Sequence, residues 1–362
     1  MIQKKSINIY FAASPLQLIC IKEYIIKNHI KEHDLILFLH DTKKIDNENA
    51  LKQMFLTLNK LKFKRYKIFW IPKIKLMRFL FEILLIIKLK IQGINNNLNF
   101  IFFDFRNIFL QSLRRHFRGS VFTLIDDGFY TYVAQEWYMK KNIFLPIERY
   151  KSLGGKISKL LYFGFSFKRL KMTPIKIFTI YADELSNNNA EMNTLSFLKR
   201  KANESKCKIS NKLVFFTGTG MVERGAMKLE QELLLIKTAN KYWRKQQKTM
   251  YYVGKRSTSQ RKLDVFEQNG INTLRFDMPL EIVLSERSQI PGHIMTLGST
   301  LQKSLSLIFD NKIIFYFVNI SNFFLDQEAK DLKIKTDEVD KFADSYFSSS
   351  SNIKIIDLKD FK

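Results

Sequence analysis

Apolar residues in this chain come in short runs, and each run is closed by small, polar or charged residues. Ile7 to Phe11 is the first run. It breaks at Ala12-Ala13-Ser14-Pro15, where Ser14 can cap a helix and Pro15 suits the first helical position. Leu16 to Lys27 continues as that helix, Leu35 to Leu39 reads as a second strand, and a helix follows over roughly Glu48 to Leu61. Further strands are predicted at Tyr66–Ile71, Phe100–Asp104, Val121–Ile125 and Ile175–Tyr181. The later half repeats the rhythm. Leu213–Phe216 is followed by Leu229, Leu233 and Ile236 at helical spacing, then come Met250–Val253, a Met278-Pro279-Leu280-Glu281 element, Ile294–Leu297 and Ile313–Val318. Runs that are apolar throughout suit parallel strands buried on both faces, and their alternation with helices predicts an α/β protein. The polar stretch 186–210 predicts a linker between an N-terminal domain, 1–185, and a C-terminal domain, 211–345. A tail, 346–362, follows and is able to cross back to the first domain.

The chemistry collects where the strands end. Val121–Ile125 runs into Asp126-Asp127-Gly128. Adjacent carboxylates there suit a general base or a sugar-hydroxyl ligand, and they equally suit an Asp-Gly turn with a helix cap. Leu213–Phe216 breaks into Thr217-Gly218-Thr219-Gly220, Met250–Val253 into Gly254-Lys255-Arg256, and Ile294–Leu297 into Gly298-Ser299-Thr300. Parallel α/β sheets bind ligands at the carboxyl ends of their strands, and a lysine–arginine pair beside helix N-termini suits a phosphate. The chain has no Asp-x-Asp pair, no P-loop and no Gly-x-Gly-x-x-Gly fingerprint.

Charge sharpens the choice of partner. Lys and Arg number 60 against 34 Asp and Glu, a formal net charge of +26, which predicts an anionic partner over and above a general drift towards Lys, Ile, Asn and Phe. The basic residues are spread rather than striped and no RNA or DNA motif is present, so nucleic acid is not the expected partner. At 46% hydrophobic and 26% charged residues the chain is globular, and Cys20 and Cys207 suggest neither a disulfide framework nor a metal knuckle. A reducing cytoplasm is the expected home. Ile7 to Ile21, interrupted by Asn8, Ser14, Pro15 and Gln17, reads as strand, turn and helix rather than a secretory signal, and Phe79 to Ile87 is too short to span a bilayer. Lys60 to Lys90 mixes cations with large apolar residues. It reads either as a helix on an anionic membrane surface or as a helix covering the sheet with snorkelling lysines.

Taken in order, Ser14-Pro15-Leu16-Gln17-Leu18, Asp126-Asp127-Gly128, Tyr251-Tyr252-Val253-Gly254-Lys255-Arg256, Pro279-Leu280-Glu281 and Gly298-Ser299-Thr300 resemble bacterial sialyltransferases. The resemblance is to the lipooligosaccharide enzymes of glycosyltransferase family 52 and related polysialyltransferase-type proteins, and it covers about residues 7 to 305. It implies a GT-B fold, two Rossmann-like α/β domains facing a central cleft. It also implies an inverting transfer of a sialic-acid-type sugar from a CMP-activated donor to a lipooligosaccharide or capsule acceptor, with no metal and no other cofactor. The acidic base falls on Glu223, with Asp127 the alternative. Gly218, Thr219, Gly220, Lys255, Arg256, Glu281, Ser299 and Thr300 fall on the donor side, and Ser14, Gln17, Asp126 and Asp127 on the acceptor side. The family carries a histidine element after the Tyr-Tyr strand, and this chain has Lys255-Arg256 there. A lysine is a poorer acid near neutral pH, which leaves a lapsed CMP-sugar-binding or membrane scaffold as the competing expectation, with a basic nucleic-acid binder behind it. A peripheral position at the inner face of the cell membrane, and a dimer, are compatible with this reading.

Overall fold

The computed structural model describes residues 5–31, 33–40, 45–63, 65–72, 74–128, 131, 134–139, 156–157, 160, 162, 174–185, 189–218, 220–223, 225, 227–297, 301–319 and 352–357. The chain divides into two compact units, one of Met1–Lys43 with Thr57–Thr194 and one of Lys44–Leu56 with Leu195–Lys362.

The first unit is built on a parallel sheet of seven strands: β1 (Lys5–Ala12), β2 (His33–His40), β3 (Tyr66–Ile71), β4 (Asn96–Phe102), β5 (Val121–Ile125), β6 (Ile175–Thr179) and β7 (Ala190–Met192). Their order is β3-β2-β1-β4-β5-β6-β7. The chain therefore builds outward from β1 to β3, returns, and builds outward on the other side from β4. β1 sits centrally, with Ile9 opposite Asp34 of β2 and Phe100 of β4. Its Ile9, Tyr10, Phe11 and Ala12 are wholly buried, as a strand covered on both faces must be. Phe11, Phe100 and Phe122 stack across three strands with centroid spacings of 6.5 and 5.0 Å. Among the described residues, helices α1 (Pro15–Lys27), α2 (Ile45–Lys60, whose residues up to Leu56 belong to the second unit), α3 (Lys75–Ile94) and α4 (Ile108–His116) accompany these strands.

The second unit repeats the plan with β8 (Lys208–Thr217), β9 (Thr249–Gly254), β10 (Asn272–Arg275), β11 (Gln289–Thr296), β12 (Ile314–Asn319) and β13 (Ile353–Asp357), in the order β10-β9-β8-β11-β12-β13, all parallel. Its helices are α5 (Ser196–Glu204), α6 (Leu229–Lys245), α7 (Gln260–Gln268), α8 (Leu280–Glu286) and α9 (Leu301–Ile308). The core gathers Val214, Phe216, Trp243, Tyr252, Phe266 and Met295. Two open parallel sheets, each reversing its strand order around its own first strand, are the paired halves of a GT-B fold.

The stretches read from sequence as linker and tail carry regular structure. Residues 186–210, expected as a linker, carry β7, α5 and the start of β8. α5 reads as polar because it buries only Leu198 and Ala202. The stretch read as a tail contains β13, which pairs with β12 through Phe315 and Ile353 and so covers an otherwise open sheet edge. α4 carries Arg114, Arg115 and His116 in its last turn, where positive charge complements the helix dipole. Among the described residues no helix is long and apolar enough to cross a membrane.

Candidate functional site

A sheet whose strand order reverses leaves a crevice at the carboxyl ends of the two strands flanking the reversal. In the first unit these are β1 and β4, with β5 next to them. The end of β1 is fixed by a capping box. The Ser14 Oγ accepts from the Gln17 N–H at 3.4 Å, and Gln17 Oε1 accepts from the Ala13 and Ser14 N–H groups at 2.6 and 3.1 Å. This commits the Gln17 carbonyl to the backbone and aims its Nε2 at Asp127 Oδ1, 2.7 Å away. Asp104, just past β4, adopts a left-handed backbone with φ of 45°. Its Oδ1 accepts from the Arg106 N–H at 3.0 Å and Nε at 2.7 Å, and an Arg106 terminal nitrogen stands 3.8 Å from Asp127 Oδ2. Asp127, Gln17, Arg106 and Asp104 thus form one polar cluster at three adjacent strand ends.

The two adjacent aspartates part company. Asp127 keeps a partly exposed carboxylate at the strand ends, and its N–H donates to Thr131 Oγ1 at 2.8 Å. Asp126 points inward and is 1% exposed, accepting from the Thr179 hydroxyl and from the Ile180 N–H at 2.9 Å. It joins the end of β5 to the end of β6. Burial pushes its carboxyl up to about 7, against the opposing pull of those two hydrogen bonds.

In the second unit the reversal falls between β8 and β11. β8 ends at Thr217, whose hydroxyl donates to the Met295 carbonyl of β11 at 3.1 Å, and the chain turns at Gly218. A Cβ on Gly218 would stand 2.3 Å from the Tyr252 hydroxyl, so only glycine lets the turn pass over that ring. The Tyr252 hydroxyl donates to Glu232 Oε1 at 3.0 Å, and Lys262 Nζ donates to Glu232 Oε2 at 2.6 Å and to Glu223 Oε1 at 3.2 Å. One buried ammonium therefore serves two carboxylates. Burial raises the Glu232 carboxyl and Lys262 pulls it back, while burial and Glu232 push the Tyr252 hydroxyl up, keeping it a donor. Glu223 Oε2, by contrast, has no hydrogen-bond partner. Glu223 precedes α6 by more than a turn, so its place is the strand-end turn and not the helix N-terminus.

The remaining expected residues are distributed as follows. Gly220 lies in the turn after β8, and Lys255 and Arg256 follow the end of β9, Lys255 half-buried and Arg256 exposed. Glu281 sits in the first turn of α8, 8% exposed, and accepts from the Ser304 hydroxyl of α9 at 3.0 Å. Burial raises its carboxyl. Beside that pair in sequence, Gln302 is wholly buried with neither amide atom hydrogen-bonded. Thr219, Ser299 and Thr300 lie outside the described residues. Reasoning from sequence missed Arg106, Glu232, Lys262 and Gln302. Lys262 sits in Gln260-Arg261-Lys262, which reads as a solvated helix face until its 2% exposure is seen.

No protein-family model matches the chain, and no curated protein matches it by sequence. In structure it is similar to the UDP-GlcNAc 2-epimerase of Methanocaldococcus jannaschii, at 10% identity and a TM-score of 0.48 over 98% of this chain and 89% of that one. The same enzyme in complex with UDP-GlcNAc and UDP gives 11% identity and a TM-score of 0.46 over 92% of each chain. A Listeria monocytogenes protein assigned as a UDP-N-acetylglucosamine 2-epimerase gives 9% identity and a TM-score of 0.49 over 98% of this chain and all of that one. Similarity at this level assigns no substrate and no reaction to the present chain.

Proposed function

We propose that this protein is a nucleotide-sugar-dependent glycosyltransferase. The finer reading is an inverting transfer of a sialic-acid-type sugar from a CMP-activated donor to a surface glycan, a lipooligosaccharide or capsule precursor. The observation that supports it best is Glu223. This carboxylate stands in the strand-end turn of the second sheet's reversal point, held through one oxygen by Lys262 while its other oxygen is buried without a hydrogen-bond partner. The choice of CMP over other nucleotides rests on the ordered motifs that resemble family 52.

In the proposed reaction the acceptor hydroxyl oxygen attacks the anomeric carbon of the donor. The bond from that carbon to the phosphate oxygen breaks, and its electron pair leaves with CMP. The hydroxyl proton passes to a carboxylate, Glu223 Oε2 or Asp127, and inversion follows from attack on the face opposite the phosphate. Lys255 and Arg256 meet the charge that grows on the leaving phosphate. Lysine does this as a point charge and need not surrender a proton, since a phosphate monoester is already a weak base. Glu281 and the hydroxyls of Ser299 and Thr300 are assigned to the nucleotide. The polar cluster of Asp127, Gln17 and Arg106 is assigned to the acceptor. The place of reaction is the inner face of the cell membrane, where such acceptors are made.

Thermal shift against CMP, UDP, GDP and ADP tests the donor first. CMP should raise the melting temperature by mass action, by an amount that grows with its concentration, and the others should not. Stabilisation by UDP and not by CMP removes the donor assignment. Stabilisation by CMP with no release of CMP from a CMP-activated sugar, across a panel of glycan acceptors, assigns a binding role instead.

A further inference from the structure

α3 is apolar on both faces: it buries Ile86 and Leu89 and also exposes a broad apolar stripe. Its one acid, Glu82, is buried at 1% exposure, paired with Arg78 Nε at 3.0 Å and with the Tyr162 hydroxyl. Its outward face is apolar. Leu76, Met77, Leu80, Phe81, Leu84, Ile87, Ile91 and Ile94 are 44 to 65% exposed, and Ile74, just before the helix, is 61% exposed. Of the 17 large hydrophobic side chains exposed among the described residues, eight are on this one helix and a ninth adjoins it, so this is a contiguous patch and not the usual scatter. Tyr162 packs edge-on against Phe79 at 5.3 Å, which anchors beside α3 a short segment whose Ile157 and Leu160 are also exposed, at 49 and 41%.

The exposed charges on the helix itself are of one sign, and the nearest acid to contact it, Asp34, is engaged by Gln92 and Lys67. Lys88 stands within the apolar stripe, one turn from Leu84 and from Ile91, and Lys90 borders it. Arg115 of α4 reaches the same region, donating to the Tyr162 carbonyl at 3.3 Å. No acid on α3 is exposed.

We propose that α3 is a membrane-docking helix that lies flat on a bilayer containing anionic phospholipid. At 20 residues and 1.5 Å per residue it is about 30 Å long, and it is set against the sheet rather than free to insert end-on. Its apolar stripe enters the acyl boundary while Lys88 and Lys90 extend their ammonium groups up to the phosphates. Charge decides between a bilayer and a second copy of this chain. A two-fold contact through the stripe would bury Lys88 with no acid of its own helix to receive it, which costs heavily, whereas a bilayer supplies the phosphate. The inference rests on α3 alone and is independent of the donor, so the vesicle result and the nucleotide result stand or fall separately.

The test is co-sedimentation of the full chain with phosphatidylcholine vesicles, with and without phosphatidylglycerol. With three cations near the surface and roughly fivefold for each, capture on the anionic vesicles should exceed capture on the neutral ones by roughly a hundredfold at low salt and fall as salt is raised. Leu84→Glu combined with Ile91→Glu changes two side chains that touch mainly solvent, and it should abolish capture while leaving the melting temperature and nucleotide response unchanged. Lys88→Glu should lower capture on anionic vesicles by at least about fivefold and leave the weak neutral capture alone. Equal capture on both vesicle types, or no capture of a folded chain on either, overturns the proposal. So does a concentration-dependent dimer in light scattering that the double variant dissolves while vesicles capture neither form. That last result makes a second copy the occupant.

Discussion

At Glu223, Lys262 and Glu232, one ammonium at 2% exposure holds two carboxylates, and only one of the two retains an uncommitted oxygen. Asp127, the competing base, is met by Gln17 and Arg106, one on each oxygen. That contrast orders the outcome of two substitutions. Glu223→Gln should cost about 10²–10⁴-fold in turnover, the range for a positioned general base, while leaving stabilisation by nucleotide in place. Asp127→Asn should raise KM for the acceptor more than it lowers kcat, because the loss falls on binding. The reverse pattern would exchange the two roles. Residue by residue, legibility from sequence followed one rule. Side chains at strand ends were visible, because an apolar run announces its own end. Lys262 was not, because it acts through tertiary contacts with Glu223 and Glu232 that no local pattern records, and Arg106, although at a strand end, was missed because its link to Asp127 is tertiary. Asp126 and Asp127 are the instructive pair. Adjacent in sequence and equally suggestive there, they are separated by the peptide geometry of a strand end, which turns one side chain inward and the next outward.

Among the elements, the turn after β8 couples to its neighbour through the absence of a side chain. An alanine at position 218 would place its Cβ 2.3 Å from the Tyr252 hydroxyl and 2.7 Å from Cζ. Tyr252 cannot retreat freely, since its ring packs edge-on against Phe266 at 4.7 Å and its hydroxyl serves Glu232. Gly218→Ala should therefore destabilise by about 1–3 kcal/mol, the usual cost of overpacking. Tyr252→Phe should cost less in the Gly218→Ala background than in the parent, because removing the hydroxyl relieves the clash. Urea unfolding of the four proteins gives the coupling directly, and strict additivity would rule out the contact. The glycine itself was legible as a turn, and its necessity was not, because Tyr252 comes from another strand. α3 shows the complementary limit. Its cations and apolar residues were plain in sequence and left two readings open. The choice turns on which face packs, and buried Glu82 with exposed Leu84 and Ile91 could not be told from periodicity when most of the helix is apolar. β7, α5 and β13 escaped notice because short edge elements bury few side chains and so carry little hydrophobic signal.

For the whole molecule, Asp126 and Glu82, buried acids of the first unit, set a pH dependence of stability. Burial pushes Asp126 from 3.8 to about 7 and Glu82 from 4.5 to about 7. Both groups hold their proton more tightly folded than unfolded, so between these values the native state binds more protons. Stability rises with pH only where the unfolded chain binds more protons, and here the inequality runs the other way. The contribution is therefore fully present below about pH 4 and is lost as pH climbs through about 7. Asp126→Asn removes one of the two titrations while keeping an oxygen that can accept from the Ile180 N–H or the Thr179 hydroxyl. Melting temperatures of the parent should fall between about pH 5 and pH 7 relative to those of Asp126→Asn, which should show the shallower slope. The comparison isolates Asp126, because the high net charge acts on both proteins alike and added salt screens it equally in each. Parallel pH profiles would mean that Asp126 is already ionised in the native chain. In that case its carboxylate draws more from the Thr179 hydroxyl and the Ile180 N–H than burial takes away, and the tie between β5 and β6 is a charged one.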